Sequence, residues 1–175
     1  FSDRFNYNLF RSHGWPRSRY FFMLTDQYGL PMICEAAVAF GNYYPVEDLD
    51  NPFWENWQTH SKRLIAQYGN HPSIVIWSAE NEILSEARIV DTTGQIHEKL
   101  WEINDLFKRL DPHRPVMFEG DFDLRGRCEI INEHYPKRYG NYLWPIDFYW
   151  VDKPHIPGHA DGAFYYKTTT WDRSK

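Results

Sequence analysis

One short segment constrains the fold more than any other part of the chain. Residues 69–72 read Gly-Asn-His-Pro, and Pro72 disfavours the helical conformation at His71, so a preceding helix can end there. Ser73 to Trp77 follows, with Ile, Val, Ile and Trp in unbroken succession. An apolar β-branched run of this length between breakers predicts a strand buried on both faces, as in parallel sheets that helices cover.

Three polar residues, Glu80, Asn81 and Glu82, come directly after this strand. In parallel α/β proteins, polar groups at the C-terminal ends of strands face the ligand crevice. The same residues could also form a solvated loop that caps the next helix. Of the two carboxylates, we expect Glu82 to belong to a functional site, and Glu80 to face solvent or to pair with a neighbour.

Strands and helices alternate along the chain. The predicted strands are Asn8–His13, Leu30–Cys34, Ser73–Trp77, Pro115–Phe118 and Glu129–Asn132, and the predicted helices are Tyr20–Tyr28, Pro52–Tyr68 and Gln95–Leu110. This order predicts parallel strands joined by right-handed crossovers. Every strand also ends in polar residues, which favours a (β/α)8 barrel over a doubly wound sheet. No glycine-rich loop follows a strand, which argues against nucleotide binding.

The expected fold is therefore α/β, a partial (β/α)8 barrel that lacks the first and last strand units. We assign a single domain to residues 1–175, with barrel units 2 to 6 in residues 1–136 and a loop-rich aromatic tail in residues 137–175. The chain opens without an initiator Met, which reads as a piece of something longer.

Each predicted helix carries an apolar stripe that should face the sheet. The stripe of the first helix is Tyr20, Phe21, Leu24 and Tyr28; that of the second is Phe53, Trp54, Trp57, Leu64, Ile65 and Tyr68; that of the third is Ile96, Leu100, Ile103, Phe107 and Leu110. Ser18 is the expected N-cap of the first helix, and Pro52 occupies the first turn of the second.

Composition narrows the possible partners. The formal net charge is −5 and no basic stripe is present, which argues against nucleic acid and anionic membranes. Cys34 and Cys128 lie in apolar runs, so we expect buried thiols rather than a disulfide framework. The chain has 8 Trp, 12 Tyr and 12 Phe, many outside the periodic segments. Such rings suit surfaces that stack on sugars, although ordinary packing of long loops also explains any single one of them.

The candidate site residues are those at the predicted strand ends: Arg11, His13, Glu35, Asn81, Glu82, Glu119, Asp121, His134 and Tyr135. Arg11 could instead form a structural ion pair. Glu119 and Asp121, after the fourth predicted strand, could simply be solvent-facing residues of the rim. His13, His134 and Glu35 could bind a metal, but no closely spaced His pair supports one, so we expect neither metal nor cofactor.

Three segments resemble the catalytic barrel of glycoside hydrolase family 2, the β-galactosidase and β-glucuronidase type. Phe5 to Pro16, with Phe-Arg-Ser-His, resembles the second barrel strand of that family. His71 to Glu82, with His-Pro-Ser-Ile-Val-Ile-Trp-Ser before Asn-Glu, resembles the fourth strand. Asp111 to Val116, leading to Glu119, resembles the approach to the fifth. The order and the intervals agree over roughly residues 5–136.

The resemblance implies a retaining β-glycosidase, whose two carboxyl groups stand about 5–5.5 Å apart. Glu82 would be the general acid/base, and Asn81 would hold the sugar hydroxyl beside the anomeric carbon. Arg11 would support the second carboxylate, and Tyr135 would hydrogen-bond near it. The implied substrate-binding set is Arg11, His13, Glu35, Asn81, Glu119, His134 and Tyr135, and the implied partner is an oligo- or polysaccharide.

The sequence also departs from the family pattern. Cys34-Glu35 stands where the family commonly has Asp-Glu, and Glu80 stands where many members have Gly. The nucleophilic Glu of the family follows the seventh strand, and we find no such strand before Lys175. We therefore expect the nucleophile to lie beyond the C-terminus and the 175 residues alone to be inactive. The alternatives are a carbohydrate-binding barrel without turnover and a metal-dependent barrel hydrolase.

Overall fold

The fold is described by a computed structural model that covers residues 7–84, 91–120, 124, 126–130 and 132. The elements are β1 (Phe10–Arg11), α1 (Arg19–Tyr28), β2 (Met32–Glu35), a 3₁₀ turn (Gly41–Tyr43), α2 (Pro52–Tyr68), β3 (Ile74–Asn81), α3 (Gln95–Leu110) and β4 (Val116–Glu119). Within these ranges, none of the helices is both long and apolar enough to span a bilayer.

The four strands form one parallel sheet in the order β1-β2-β3-β4. Phe10 pairs with Met32, Met32 with Ile74, and Trp77 with Val116. Spatial order follows chain order, so the β/α units wind in one direction, as in a barrel, whereas a doubly wound sheet reverses direction. The predicted parallel α/β architecture is confirmed.

The central strand is longer than predicted, because β3 ends at Asn81 rather than at Trp77. Its last residues pair on both sides: Ser78 with Glu35 of β2, and Asn81 with Glu119 of β4. Within the predicted strand, Ser73, Ile74 and Trp77 are buried as predicted. Val75 is 38% exposed, so that part of the prediction is wrong.

Helix α1 docks through a different face from the one predicted. Phe22 and Thr25 are its buried residues, whereas Tyr20 is 68% and Tyr28 70% exposed. The ring of Phe22 lies 5.1 Å from that of Tyr68 at the end of α2. Thr25 also bonds the Ser73 hydroxyl at 2.8 Å. The buried face therefore combines an aromatic ring with a threonine whose hydroxyl has a hydrogen-bond partner, and the apolar stripe alone does not identify it.

Helices α2 and α3 cover the sheet largely as their stripes predict. Trp54 and Trp57 of α2, and Leu100 and Phe107 of α3, are buried. The indole N–H of Trp57 donates to the carbonyl of Ala79 in β3 at 3.2 Å, which ties α2 to the central strand. Leu110, the last member of the predicted stripe of α3, is 43% exposed, so the prediction is wrong at that residue. Cys34 and Cys128 are buried and form no disulfide, as expected.

The helix starts follow the chemistry of their caps. The Ser18 hydroxyl accepts from the amide of Phe21, and the Asn51 side chain accepts from Phe53. Helix α3 begins after Gly94, and Asp91 supplies the missing acceptor for the amides of Gly94 and His97. Although burial raises the pKa of Asp91, hydrogen bonds from the His97 ring and backbone lower it well below its ordinary value.

Of the predicted fifth strand, the structure describes residues 129, 130 and 132. Glu129 and Ile130 form a bend rather than a strand, and Asn132 forms a single bridge. Residues 133–175, including the predicted aromatic tail, lie outside the described part of the chain.

Arg114 stabilises the end of the sheet opposite the polar strand ends, where the loop from α2 enters β3. Its guanidinium donates to three backbone carbonyls: Ile74 at 2.6 Å, Gly69 at 2.9 Å and His71 at 3.1 Å. It also pairs with Asp111 at 2.5 Å, and the same carboxylate accepts from the indole of Trp77 at 2.9 Å. One side chain therefore sets the loop that leads into β3.

We expect Arg114→Lys to lower the free energy of unfolding by about 2 kcal/mol, because an ammonium cannot reach three carbonyls in the plane of a guanidinium. Urea unfolding of the full-length protein measures this loss. Arg109→Lys is the matched control, because Arg109 is exposed on α3. Equal stability of the two variants would contradict the role of Arg114.

Candidate active site

Five of the predicted site residues come together at one rim of the sheet. Arg11, Glu35, Asn81 and Glu119 stand at the ends of β1, β2, β3 and β4, and Glu82 follows β3 directly. The C-terminal ends of parallel strands share one side of a sheet, which is why sequence alternation alone predicts this grouping. His134 and Tyr135 lie outside the described residues, so their predicted places at the rim stay predictions.

The guanidinium of Arg11 joins all four strand ends. Its Nε lies 3.1 Å from Glu35 Oε2, and its Nη1 lies 2.6 Å from Glu119 Oε1. Its Nη2 donates to Asn81 Oδ1 at 3.0 Å. One partly buried cation thus binds two carboxylates and orients an amide, which a lysine could not do with the same geometry.

Glu35 lies beneath this rim with its side chain fully buried. Besides Arg11, it accepts a hydrogen bond from the backbone amide of Gly14 at 2.5 Å. Burial raises the pKa of Glu35 to about 7, even though Arg11 and Gly14 both lower it. Glu35 therefore helps to position two parts of the rim, the Arg11 guanidinium and the loop at Gly14.

His13 stands on the outer side of Arg11. Its Nδ1 lies 2.6 Å from Arg11 Nη2, and because a guanidinium only donates, Nδ1 is the acceptor. The imidazole is half-exposed and packs edge-on against Phe40, with ring centroids 5.9 Å apart. This places an imidazole and an aromatic ring next to the polar centre of the site.

Asn81 and Glu82 form the centre of the rim. The amide nitrogen of Asn81 donates to Glu82 Oε2 at 3.3 Å, while its oxygen accepts from Arg11. Glu82 is almost fully buried and has a φ of 56°, in the left-handed region that favours glycine. Its backbone N–H donates to the carbonyl of Glu119 at 2.7 Å, and its carbonyl accepts from Gly41 at 3.1 Å.

Glu80 does not face solvent, which was one of the two expectations for it. Its side chain is fully buried, and Oε2 accepts from the backbone amide of Ile83 at 3.0 Å. The Ser78 hydroxyl donates to the Glu80 carbonyl at 2.9 Å. The reason is the greater length of β3, which carries Glu80 inside the sheet.

The loop after β2 supports the same turn. Val38 and Phe40 bond the backbone of Asn81, at 2.9 and 2.7 Å. A Cβ at Gly41 would overlap the carbonyl of Ile83, so only glycine fits this contact. The start of the loop is held by His60, whose Nε2 accepts from Ala37 at 3.0 Å. Burial, and then the charge of Arg63, lower the pKa of His60, which favours this neutral acceptor.

Sequence reasoning missed one rim residue, Asn132. Its amide donates to Glu119 Oε2 at 2.9 Å and accepts from the backbone of Gly120 at 2.9 Å. Asn132 ends the predicted fifth strand, so the rule that strand ends face the site could have found it. The sequence prediction instead named the next polar residues along the chain, His134 and Tyr135.

The metal alternative rested on His13, His134 and Glu35, of which His134 is not described. Among the described residues, no group of three or more His, Cys, Asp and Glu side chains is arranged to hold a metal ion.

Parallel β/α units wound in one direction, with carboxylates and an Asn-Glu pair at the strand ends, define part of a (β/α)8 barrel. Residues 2–153 match the protein family described as "Glycosyl hydrolases family 2, TIM barrel domain". The chain belongs to this family, within its TIM barrel domain, which confirms the resemblance.

Known relatives agree with this assignment. The chain is 33% identical over 134 residues to a β-galactosidase of Psychromonas ingrahamii, covering 75% of this chain and 12% of that protein. It is 32% identical over 161 residues to a β-galactosidase of Oenococcus oeni, covering 90% of this chain and 14% of that protein. The β-D-glucuronidase structure of Dictyoglomus thermophilum superposes with a TM-score of 0.58 at 27% identity, covering 74% of this chain and 22% of that one. The chain thus spans a small part of the length of these relatives.

Proposed function

We propose that this chain contributes the acid/base half of a retaining β-glycosidase site, with Glu82 as the general acid/base. The observation that carries the proposal is the placement of the Glu82 carboxyl group on the rim, bonded to Asn81 and one residue from the Arg11 network. A general acid needs a fixed carboxyl group that can deliver its proton to the leaving-group oxygen. The backbone bonds on both sides of Glu82 supply that fixity.

The other rim residues take supporting roles in this proposal. Asn81 holds a sugar hydroxyl beside the anomeric carbon while Arg11 orients its amide. Glu35 acts through Arg11, whereas His13 and Glu119 contact the sugar or its neighbours at the rim. His134 and Tyr135, from the undescribed part of the chain, complete the substrate-binding set.

The nucleophile is assigned to a carboxylate outside the described residues. Glu35 is fully buried beneath the rim, and the two oxygens of Glu119 bind Arg11 and Asn132, which argues against either as the nucleophile. A retaining mechanism needs an ionised carboxylate on the face of the sugar opposite the acid. We therefore expect no glycosidase turnover from the 175 residues alone, and turnover from the full-length protein.

The sugar is proposed as a β-linked glycoside, since relatives at about one-third identity are named β-galactosidases. The test is hydrolysis of a panel of aryl β-glycosides by the full-length protein, followed by proton NMR of the first-formed sugar. The expected first product is the β-anomer. An α-anomer that appears first would contradict the retaining mechanism.

A second candidate, a sugar-binding barrel without turnover, is favoured by the pairing of two rim carboxylates with one arginine. Binding of the same glycosides by calorimetry, with no hydrolysis by the full-length protein, would establish that alternative.

A further inference from the structure

We propose that Glu80 is a positioning residue that holds the proposed acid/base Glu82 in its working orientation by fixing the backbone that follows it. The inference rests on the proposed function and assigns a role to a buried carboxyl group that the proposed mechanism leaves unused. Glu80 and Glu82 are two residues apart, on opposite sides of Asn81, at the end of the central strand.

The backbone at Glu82 requires such a device. A non-glycine residue with a φ of 56° is in a sparsely populated conformation, which persists only when the surroundings impose it. Two main-chain bonds hold the residue itself: its N–H donates to Glu119, and its carbonyl accepts from Gly41. The second bond holds the carbonyl side of the peptide between Glu82 and Ile83, and the N–H side of that peptide needs a partner of its own.

Glu80 holds the N–H side of this peptide, opposite the bond from Gly41. Its Oε2 accepts from the N–H of Ile83 at 3.0 Å, and both residues are fully buried. The bond closes a loop from residue 80 to residue 83 around Glu82, so the left-handed residue is clamped from both sides. The Ser78 hydroxyl in turn donates to the Glu80 carbonyl at 2.9 Å, which steadies the start of this loop.

The hydrogen bond between Glu80 and Ile83 affects catalysis because it helps to fix the position of the Glu82 carboxyl group. Glu82 Oε2 accepts from Asn81 at 3.3 Å, a bond near the upper limit of length that a small backbone rotation would break. A displacement of about 1 Å of a catalytic group can cost on the order of 100-fold in rate. Losing the Glu80 bond should therefore weaken protonation of the leaving group more than binding of the sugar.

Two substitutions separate the hydrogen bond from the charge. Glu80→Gln keeps an oxygen at the same reach but removes the charge, whereas Glu80→Asp keeps the charge but is one methylene too short for Ile83. In the full-length protein, kcat/KM is measured for aryl β-glycosides with activated and with poor leaving groups. We expect Glu80→Asp to lose about 10- to 100-fold on the poor leaving groups and less than about 3-fold on the activated ones. Glu80→Gln should stay close to wild type on both.

Two further variants make the result decisive. Leu106→Ala opens a cavity under the buried face of α3 near its C-terminal end, which leads to Asp111 and Arg114 at the end of the sheet opposite the rim, and should lower the melting temperature without any leaving-group preference. Glu82→Gln, in the same panel, tests the proposed function separately. If Glu82→Gln shows the preference and Glu80→Asp does not, only the positioning role is refuted. Equal losses for Glu80→Asp and Glu80→Gln would also refute it. If Glu82→Gln shows no preference, both the acid/base assignment and the Glu80 inference fall.

Discussion

Replacing Glu82 by Gln should slow hydrolysis of β-glycosides with poor leaving groups by about 10²- to 10⁴-fold, the range that general acid catalysis supplies. An amide of the same shape cannot give a proton to the leaving oxygen. Activated aryl groups leave without that proton, so the first chemical step on them should change far less. The change in shape is minimal, because the amide oxygen of Gln can still accept from Asn81.

The measurement is kcat/KM across a series of aryl β-glycosides whose phenol pKa values span several units, with the full-length protein. Rates of the variant should depend much more steeply on the phenol pKa than wild-type rates do. Glu55→Gln is the control, because Glu55 is an exposed carboxylate in the first turn of α2. An equal loss on every substrate would assign Glu82 to binding or folding rather than to proton transfer.

The parts of this fold that could be predicted from the sequence are those that local chemistry decides. Ser18, Asn51 and Pro52 begin helices because their side chains or rings suit the unpaired amides of a first turn. The strand-end rule brought Arg11, Asn81 and Glu82 to one rim, because parallel strands leave no other arrangement. These features depend on few neighbours in the sequence.

The predictions that were wrong concern features that depend on contacts between distant segments. The extra length of β3 comes from pairing with Glu35 on one side and Glu119 on the other, neither of which is visible in residues 78–81 alone. The buried face of α1 is set by Ser73 and Tyr68, 48 and 46 positions away from Thr25 and Phe22. A hydrophobic stripe ranks the faces of a helix without knowing which neighbour offers a partner for a hydroxyl.

The least predictable feature of the candidate site is the sharing of one guanidinium. The sequence marks Arg11, Glu35 and Glu119 as rim residues, but not that the two acids both bind the same cation. That arrangement fixes the orientation of both carboxylates, because each binds a different nitrogen of the same guanidinium. The Asn132 contact to Glu119 adds a further constraint that spacing alone does not reveal.

Arg11→Met should lower the free energy of unfolding of the full-length protein by about 3 kcal/mol near neutral pH, because it leaves buried carboxylates without their cation. Met keeps much of the volume of the side chain, so the loss reports charge and hydrogen bonds rather than a cavity. Arg127→Met is the control. Arg127 pairs with Asp105 where both side chains are 48% exposed, and such a pair contributes about 0–1 kcal/mol.

The pH dependence gives the sharper test. Folding raises the pKa of Glu35 from an ordinary value to about 7, so its contribution to stability is present at low pH and is lost as pH rises through 7. Without Arg11 the folded pKa of Glu35 rises further, and the loss continues to higher pH. The stability gap between wild type and Arg11→Met should therefore widen as the pH rises above about 7, where wild-type Glu35 has ionised and Glu35 of the variant has not. Adding Glu35→Gln to Arg11→Met should remove most of that widening, because the buried group no longer ionises. A gap that stays constant with pH, or a double variant that follows the same pH dependence as Arg11→Met, would show that Arg11 is not what lowers the pKa of Glu35.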